Sequence, residues 1–269
     1  MLEFEPQGEA FRKILSKGER TMTTVWSLFD SGNSSYKKTI DKYFPGIKNY
    51  SIGVDKLNKN HNFINLDLAD FHEIFGDTKL FDTLDKLPKP DIILASPPCE
   101  SWSVASAMRG GNKFYEWSDG HLKMSTDTRI ISKNDGPYKS YPWKVMYTRI
   151  NGELCAYNTV RIIEKYRPEH WVIENPQSSH IWQYLEKYHN FTGFSNVAHY
   201  AAYNDNFPKK PTTFMSDTFL SLAQMQNGKK AKIVVGARGG GRKQIRDYNE
   251  RSNIPEELVK DILEQLLEV

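Results

Sequence analysis

The feature that most constrains the fold is a regular alternation of short apolar runs with helix-like stretches over the first two thirds of the chain. Five runs are bounded by Gly, Pro, Asp or Asn, which favours buried strands. They are Val25–Phe29, Tyr50–Val54, Phe63–Leu66, Asp91–Ala95 and His170–Glu174. This alternation predicts an α/β fold with a mostly parallel sheet and helices on both faces. Ligands of such sheets bind beyond the carboxyl ends of the strands, so residues that follow each run are candidate site residues.

The segment SPPCESWS, Ser96–Ser103, directly follows one predicted strand. Two consecutive prolines restrict the backbone and remove two amide donors, so the loop can present Cys99 in a fixed direction. A cysteine thiolate is an intrinsically strong nucleophile. The alternative is a buried, inert cysteine, which behaves as a small apolar residue.

A second segment, IENP at Ile173–Pro176, ends another apolar run, so we expect Glu174 at the same sheet edge as Cys99. A carboxylic acid beside a cysteine nucleophile suits attack on a conjugated ring, where charge develops on a ring nitrogen and needs a proton donor. The alternative is a structural carboxylate that caps the following helix.

Together, SPPC and IENP after strands resemble the DNA cytosine-5 methyltransferases, in the compact form typical of bacteriophages and restriction–modification systems. The resemblance runs from about Val25 to the C-terminus and implies a Rossmann-like, S-adenosylmethionine-dependent methyltransferase fold. In that family the cysteine attacks carbon 6 of a flipped cytosine, the glutamate protonates N3, and carbon 5 takes the methyl group. The resemblance assigns these roles to Cys99 and Glu174, with Pro98 and Asn175 supporting the geometry.

The same resemblance implies S-adenosylmethionine as the cofactor and no metal ion. The implied cofactor residues are Phe29, Asp30, Gly32, Asp55, Asp67, Ser96, Pro97 and Asn253. The chain departs from the family pattern at Ser31 and Asn33, where glycine is usual, and at Glu100, where glutamine is usual. The paired arginines of a mid-chain strand are missing, and KKPTTF, starting at Lys209, lies near that position.

Basic residues are segregated along the chain, which indicates a face that attracts polyanions. The resemblance implies that this partner is double-stranded DNA. Ser221–Arg246 contains seven basic residues and no acidic one, although the net charge of the chain is only +3. Met108–Ile150 mixes eight basic and four acidic residues with aromatic ones, a composition suited to phosphate contact and base stacking. The alternatives are a solvated lysine-rich surface and a small satellite core. The candidate DNA contacts are Ser103, Arg109, Lys113, Lys209, Lys210, Lys229, Lys230, Arg238 and Arg242.

These patterns suggest four parts of the chain. We predict an N-terminal extension (1–22), a catalytic domain (23–213) with a loop insertion (108–150), a small basic target-recognition region (214–250), and a C-terminal helix returning to the core (251–269). That basic region is too short for a large reading domain.

The bulk composition is that of an intracellular protein. Two cysteines make a poor disulfide framework, and no apolar run is long enough for a membrane span, so we expect a reducing interior. The resemblance implies the cytoplasm of a bacterial or phage-infected cell. A homodimer or a partner subunit is compatible with the sequence. Two other functions remain open at this point: methylation of cytosine in RNA, and DNA binding by a catalytically silent protein of the same fold.

Overall fold

The computed structural model describes residues 22–30, 35–54, 61–70, 76, 79–103, 115–119, 121–124, 142–235, 243–245 and 252–268. The strands of the central sheet are β1 Thr24–Leu28, β2 Lys48–Gly53, β3 Phe63–Asn65, β4 Ile92–Ala95, β7 His170–Pro176, β8 Phe194–His199 and β9 Pro211–Ser216. Two smaller sheets contain β5 Tyr115–Ser118 with β6 His121–Met124, and β10 Ile233–Val235 with β11 Lys243–Ile245. The helices are α1 Ser35–Tyr43, α2 Lys79–Leu84, α3 Pro142–Tyr166, α4 Ile181–His189, α5 Tyr200–Tyr203 and α6 Glu256–Glu268.

The central sheet has seven strands in the order β3-β2-β1-β4-β7-β9-β8. The first five are mutually parallel, whereas β9 runs antiparallel to both β7 and β8. The predicted fold class, an α/β fold with a mostly parallel sheet and helices on both faces, is confirmed. Each of the five predicted strands overlaps an observed one.

Alternate residues of the central strands supply two apolar cores, one on each face of the sheet. Trp26 and Leu28 of β1 belong to one core, which α2, α3 and α4 also line. Val25 points into the other core, which is lined by α1 and α6. The helix α6 buries Leu258, Ile262, Leu263 and Leu266 there. Full burial of each such side chain stabilises the fold by about 1.5–3 kcal/mol.

The predicted loop insertion differs from the structure in two places. Residues 115–124 contain the antiparallel β5–β6 pair, and α3 begins at Pro142, within the predicted insertion. The fixed φ of proline suits the first position of a helix. Between β5 and β6 the sequence reads Asp-Gly, a strong two-residue hairpin signal, and Asp119 has the positive φ of 55° that such turns require.

The central sheet also extends beyond the predicted boundary at residue 213. Strand β9 continues to Ser216 and lies between β7 and β8. The region after it contributes the parallel pair β10–β11. Within the described part of the chain, no helix combines the length and apolarity needed to span a membrane.

Candidate active site at the carboxyl edge of the sheet

Cys99 lies just beyond β4, at the carboxyl edge of the central sheet. It opens a single 3-10 turn, Cys99–Ser101, after Pro98, whose φ of −53° is the value that the proline ring imposes. The carbonyl of Cys99 accepts hydrogen bonds from the backbone amides of Trp102, at 3.1 Å, and Ser103, at 2.9 Å. These bonds close the turn, so the direction of the Cys99 side chain is set by local backbone structure.

The neighbouring strand β7 holds this loop through the buried Asn175. Its side-chain amide donates to the carbonyl of Pro97 at 2.8 Å, and its side-chain oxygen accepts from the Ser179 hydroxyl at 2.7 Å. The amide of His180 adds a bond to the carbonyl of Trp102 at 3.0 Å. The SPPC loop and the IENP strand end are therefore one hydrogen-bonded unit.

Helix α3 packs closely on the cysteine turn at Gly152. A Cβ at this position would lie 2.0 Å from the Ser101 side-chain oxygen and 2.3 Å from its Cβ. The Ser101 hydroxyl donates to the carbonyl of Thr148 on the same helix. Glycine is required at position 152 because the turn and the helix touch there.

Glu174 is buried at the end of β7, where Tyr200 holds its carboxyl group. The Tyr200 hydroxyl donates to Glu174 Oε1 at 3.1 Å, and Tyr200 itself is wholly buried. Burial, followed by the charge of Glu174, raises the pKa of Tyr200 far above its ordinary range. The phenol consequently stays protonated and acts as a donor.

The thiol of Cys99 and the carboxyl group of Glu174 are close enough to interact electrostatically. The pKa of Cys99 is raised, first by burial and then by the negative charge of Glu174. Lys210 opposes this and lowers the pKa, and the exposed Glu100 raises it further. The structure thus brings together a desolvated thiol, a carboxyl group and one cation.

The loop after β1 has an unusual backbone, as expected where a ligand approaches closely. Phe29 has a φ of 59°, in the left-handed region that bulky non-glycine residues seldom adopt. The amide of Asp30 donates to the carbonyl of Ile52 at 3.1 Å. A Cβ on Gly53 would lie 2.5 Å from the Asp30 carbonyl oxygen, so only glycine allows this approach.

Three other predicted cofactor residues border the same edge. The Ser96 hydroxyl shares a hydrogen bond of 2.7 Å with the Tyr36 hydroxyl. Asp67 is exposed after β3, and its Oδ1 accepts from the amide of Ala69 at 2.9 Å, the geometry of an aspartate turn. Asn253 precedes Ile254, whose amide donates to the Ser35 hydroxyl at the start of α1.

A methionine-derived nucleoside cofactor fits these residues. Within the described part of the chain, the buried Oδ1 of Asn253 has no hydrogen-bond donor, and such an atom is costly unless a ligand or water meets it. The close backbone approach at Gly53 fixes the path of the loop beside the ends of β1 and β2. Amino and hydroxyl groups of a bound nucleoside could satisfy these acceptors.

The described lysines predicted to contact DNA have different surroundings. Lys209 is exposed, whereas Lys210 is half-buried with its Nζ 4.5 Å from the centre of the Tyr200 ring. Lys229 and Lys230 are exposed after Gly228, whose φ of 84° allows the turn. Lys210 therefore belongs to the cysteine site, and the other three lysines lie on the surface.

Several predictions fall outside the described residues. These are the N-terminal extension up to residue 21 and the site residues Gly32, Asp55, Arg109, Lys113, Arg238 and Arg242. Tyr36 and Tyr200, by contrast, border the site without having been predicted from the sequence. Neither belongs to a recognisable motif; the only signal is that each opens a helix at the carboxyl edge of the sheet.

Comparison with known proteins bears on the segment that carries the cysteine. Residues 54–125 match the family model of the C-5 cytosine-specific DNA methylases, a range that includes SPPC and ends before IENP. The resemblance to the cytosine-5 DNA methylases is confirmed. No curated protein matches the chain significantly.

Solved structures similar to this methylase-like chain include two methyltransferases. One is a protein proposed to be a DNA modification methyltransferase, encoded within a prophage of E. coli, with 13% identity and a TM-score of 0.38 over 72% of this chain and 46% of that one. The other is the Entamoeba histolytica methyltransferase EhMeth, with 11% identity and a TM-score of 0.42 over 77% of this chain and 58% of that one. The chain thus spans about half the length of these proteins.

Proposed function

We propose that the chain methylates carbon 5 of cytosine in double-stranded DNA, with Cys99 as the nucleophile and Glu174 as the acid. One observation carries this proposal: the segments that hold Cys99 and Glu174 follow neighbouring parallel strands to one sheet edge and are joined there by the bond from Asn175 to Pro97. The family match over residues 54–125 supports the reaction class.

The first half of the reaction adds the thiol to the ring. Before the attack, the Cys99 thiol gives up its proton to solvent and the Glu174 carboxylate takes one up. The thiolate then forms a bond to carbon 6, the ring electrons move toward N3, and the proton on Glu174 passes to N3. Lys210 favours the thiolate against burial and against the charge of Glu174. Because the thiol pKa is raised in the free protein, we expect the attack to depend on charges brought or displaced by the DNA.

The second half releases the product. The adduct makes carbon 5 electron-rich, so it can take a methyl group. Loss of the carbon 5 proton to solvent then restores the double bond between carbons 5 and 6, and the sulfur leaves as a thiolate. The N3 proton returns to Glu174, so the protein ends in its starting state. Pro98 and Asn175 keep the sulfur in place through both halves.

We propose S-adenosylmethionine as the methyl donor, which supplies an electrophilic methyl group when bound. The residues that would hold it are Phe29, Asp30, Asp67, Ser96, Pro97 and Asn253, all near the carboxyl ends of the parallel strands. The donor-free Oδ1 of Asn253 and the close approach at Gly53 support this choice.

A cytosine within a duplex is stacked, so the base must swing out to reach Cys99. Extrusion costs a few kcal/mol, which contacts to the base and to the backbone offset. We propose that Ser103 contacts DNA near the base and that Lys209, Lys229 and Lys230 contact phosphates. Their exposure supports the phosphate contacts. A role in restriction–modification or phage self-protection, in the cytoplasm of a bacterial or phage-infected cell, belongs to the same proposal.

Transfer of labelled methyl groups from S-adenosylmethionine tests the function directly. The acceptors are duplex DNA and an RNA of the same sequence, and bisulfite sequencing of the DNA identifies the modified ring position and the target bases. We expect label in DNA at carbon 5 of cytosine. Label in RNA alone, or DNA binding without label, would exclude the proposed function.

The two cysteines provide the matched variants for this assay. Cys99→Ala removes the nucleophile and should abolish transfer while DNA binding persists. Cys155→Ala changes a cysteine that is buried in α3 and whose pKa is raised to about 12, so transfer should persist. Full activity of Cys99→Ala would exclude the covalent mechanism.

A further inference from the structure

Tyr200 contacts two groups of the site at once. It follows β8 directly and opens α5, where it is wholly buried. Its hydroxyl donates to Glu174 Oε1 at 3.1 Å, and the Nζ of Lys210 lies 4.5 Å from the centre of its ring. One side chain thus joins the acid to the cation that acts on Cys99.

Backbone structure fixes this arrangement from both sides. The amide of Tyr200 donates to the carbonyl of Lys209 at 2.9 Å, and His199 pairs with Pro211 in the β8–β9 ladder. Lys210 has a φ of 33°, a left-handed conformation that a non-glycine residue adopts only when its surroundings enforce it. The backbone of Lys210 is therefore held beside Tyr200 by its connection to β8 and β9.

The hydroxyl of Tyr200 also distinguishes the two oxygens of Glu174. It donates to Oε1 of Glu174, while the other carboxyl oxygen, Oε2, accepts no hydrogen bond from the described residues. A carboxylic acid that donates to a substrate needs one oxygen available and its rotamer fixed. Glu174 and Tyr36 both raise the pKa of Tyr200, and Lys210 lies against its ring.

We propose that Tyr200 is a positioning residue that fixes Glu174 through its hydroxyl and Lys210 through its ring, so that the acid faces the base and the ammonium group faces Cys99. This inference rests on the proposed function, since it assigns the two contacts to cytosine methylation. The two contacts can be removed separately, because the hydroxyl positions the acid and the ring positions the cation that favours the thiolate.

Tyr200→Phe tests the hydroxyl. It keeps the ring and loses the bond to Glu174, so kcat should fall at least about tenfold with little change in KM for DNA. Tyr203→Phe is the matched control. Tyr203 lies on the same short helix α5 as Tyr200, and the change removes a tyrosine-to-carboxylate bond of 2.6 Å to Asp261 of α6. Its kcat should stay within about twofold of wild type.

Alkylation of Cys99 by iodoacetamide tests the ring without requiring activity. Tyr200→Phe should keep the wild-type dependence of the rate on pH, because the ring remains under Lys210. Tyr200→Leu removes the ring, and Lys210→Met removes the cation without opening a cavity in the core. Both should slow alkylation at pH 8 by at least about twofold, since less thiolate forms without the nearby positive charge.

The outcomes separate this inference from the proposed function. A wild-type protein that transfers no methyl group contradicts the proposed function, while the alkylation rates still decide whether Tyr200 holds Lys210 near Cys99. An active wild type with Tyr200→Phe as active as Tyr203→Phe overturns the role of the hydroxyl. Unchanged alkylation in both Tyr200→Leu and Lys210→Met overturns the role of the ring.

Discussion

The side-chain amide of Asn175 donates a hydrogen bond of 2.8 Å to the carbonyl oxygen of Pro97, which ties the end of β7 to the loop that carries Cys99. The two residues belong to neighbouring parallel strands, so the bond sets the distance between the segments that hold the thiol and the acid. Pro98 cannot donate a backbone bond to fix this loop. The loop therefore depends on a side-chain donor from the next strand.

Asn175→Ala should lower both stability and activity. The change leaves the Pro97 carbonyl and the Ser179 hydroxyl without their partner, at a cost of about 1–3 kcal/mol in the free energy of unfolding. A displacement of the cysteine loop by about 1 Å should lower kcat about a hundredfold. Urea denaturation and methyl transfer below the unfolding range measure the two effects.

Asn196→Ala provides the control for that prediction. Asn196 is buried in β8, donates to the Phe214 carbonyl at 2.9 Å and accepts from the Leu220 amide. Strands β7 and β9 lie between β8 and β4, the strand that leads into the cysteine loop. The variant should lose similar stability with little loss of kcat in the folded protein. Equal kcat for the two variants would show that the bond to Pro97 has no part in catalysis.

The charges around Cys99 predict the direction in which its reactivity changes. Burial and then Glu174 raise the thiol pKa, so at a fixed pH less thiolate is present than for a free cysteine. Glu174→Gln removes the negative charge, which lowers the thiol pKa and should speed alkylation at pH 8. Glu100→Gln should act in the same direction but more weakly, because Glu100 raises the pKa less.

A Cys155→Ala background isolates this effect. Cys155 is buried and its pKa is raised to about 12, so it should react slowly in any case. Mass spectrometry of the alkylated protein over pH 7 to 10 would give the rate for Cys99 alone. A slower rate in Glu174→Gln than in wild type would mean that the carboxyl group does not oppose the thiolate.

The strands and the cysteine loop could be predicted from the sequence because their signals are local. Strand β4 is buried throughout and is followed directly by SPPC, so both its continuous apolar run and its end are visible in a few residues. The same holds for β7 and IENP, although β7 extends two residues beyond the predicted run, to Pro176. Parallel pairing then brings the two strand ends to one edge.

The hydroxyl of Tyr200 could not be predicted in this way. It meets Glu174 across 26 positions of sequence, because β9 inserts between β7 and β8 in the sheet. That strand order is a tertiary feature with no local signal. The first turns of α3, residues 142–150, were predicted as part of the loop insertion for a different reason: Gly152 and the polar residues around it weaken the apolar period that predicts a helix.

Gly53→Ala should weaken cofactor binding more than DNA binding. An added Cβ would lie 2.5 Å from the Asp30 carbonyl oxygen, and since that atom is backbone, the loop after β1 must shift. We expect the Kd for S-adenosylmethionine to rise at least about tenfold, equivalent to about 1.4 kcal/mol. Gly46→Ala is the control, because a Cβ there meets nothing within 4 Å.

Calorimetric titration with S-adenosylmethionine measures this effect, and filter binding of duplex DNA provides the comparison. An unchanged Kd for the cofactor in Gly53→Ala would mean that the Asp30 loop does not form its site. Equal weakening of cofactor and DNA binding would indicate a general loss of structure instead.

The surface lysines after Gly228 should contribute to DNA affinity through phosphates alone. Lys229 and Lys230 are exposed, and replacing both with glutamine removes two cations from a region that carries no acidic residue between Ser221 and Arg246. For each lost phosphate contact, the slope of log K against log salt should become shallower by about 0.9. The effect should be equal for target and non-target duplexes, because phosphates carry no base identity.

Lys86→Gln with Lys89→Gln is the matched control for charge. Both lysines are exposed, but they precede β4 and so lie at the amino edge of the sheet, opposite the edge that holds Cys99. The pair removes the same net charge and should leave the salt slope unchanged, since a charge far from the duplex releases no counterion from it. If both pairs reduce the slope equally, the lysines act only through net charge, and the region after Gly228 is not the DNA-binding surface.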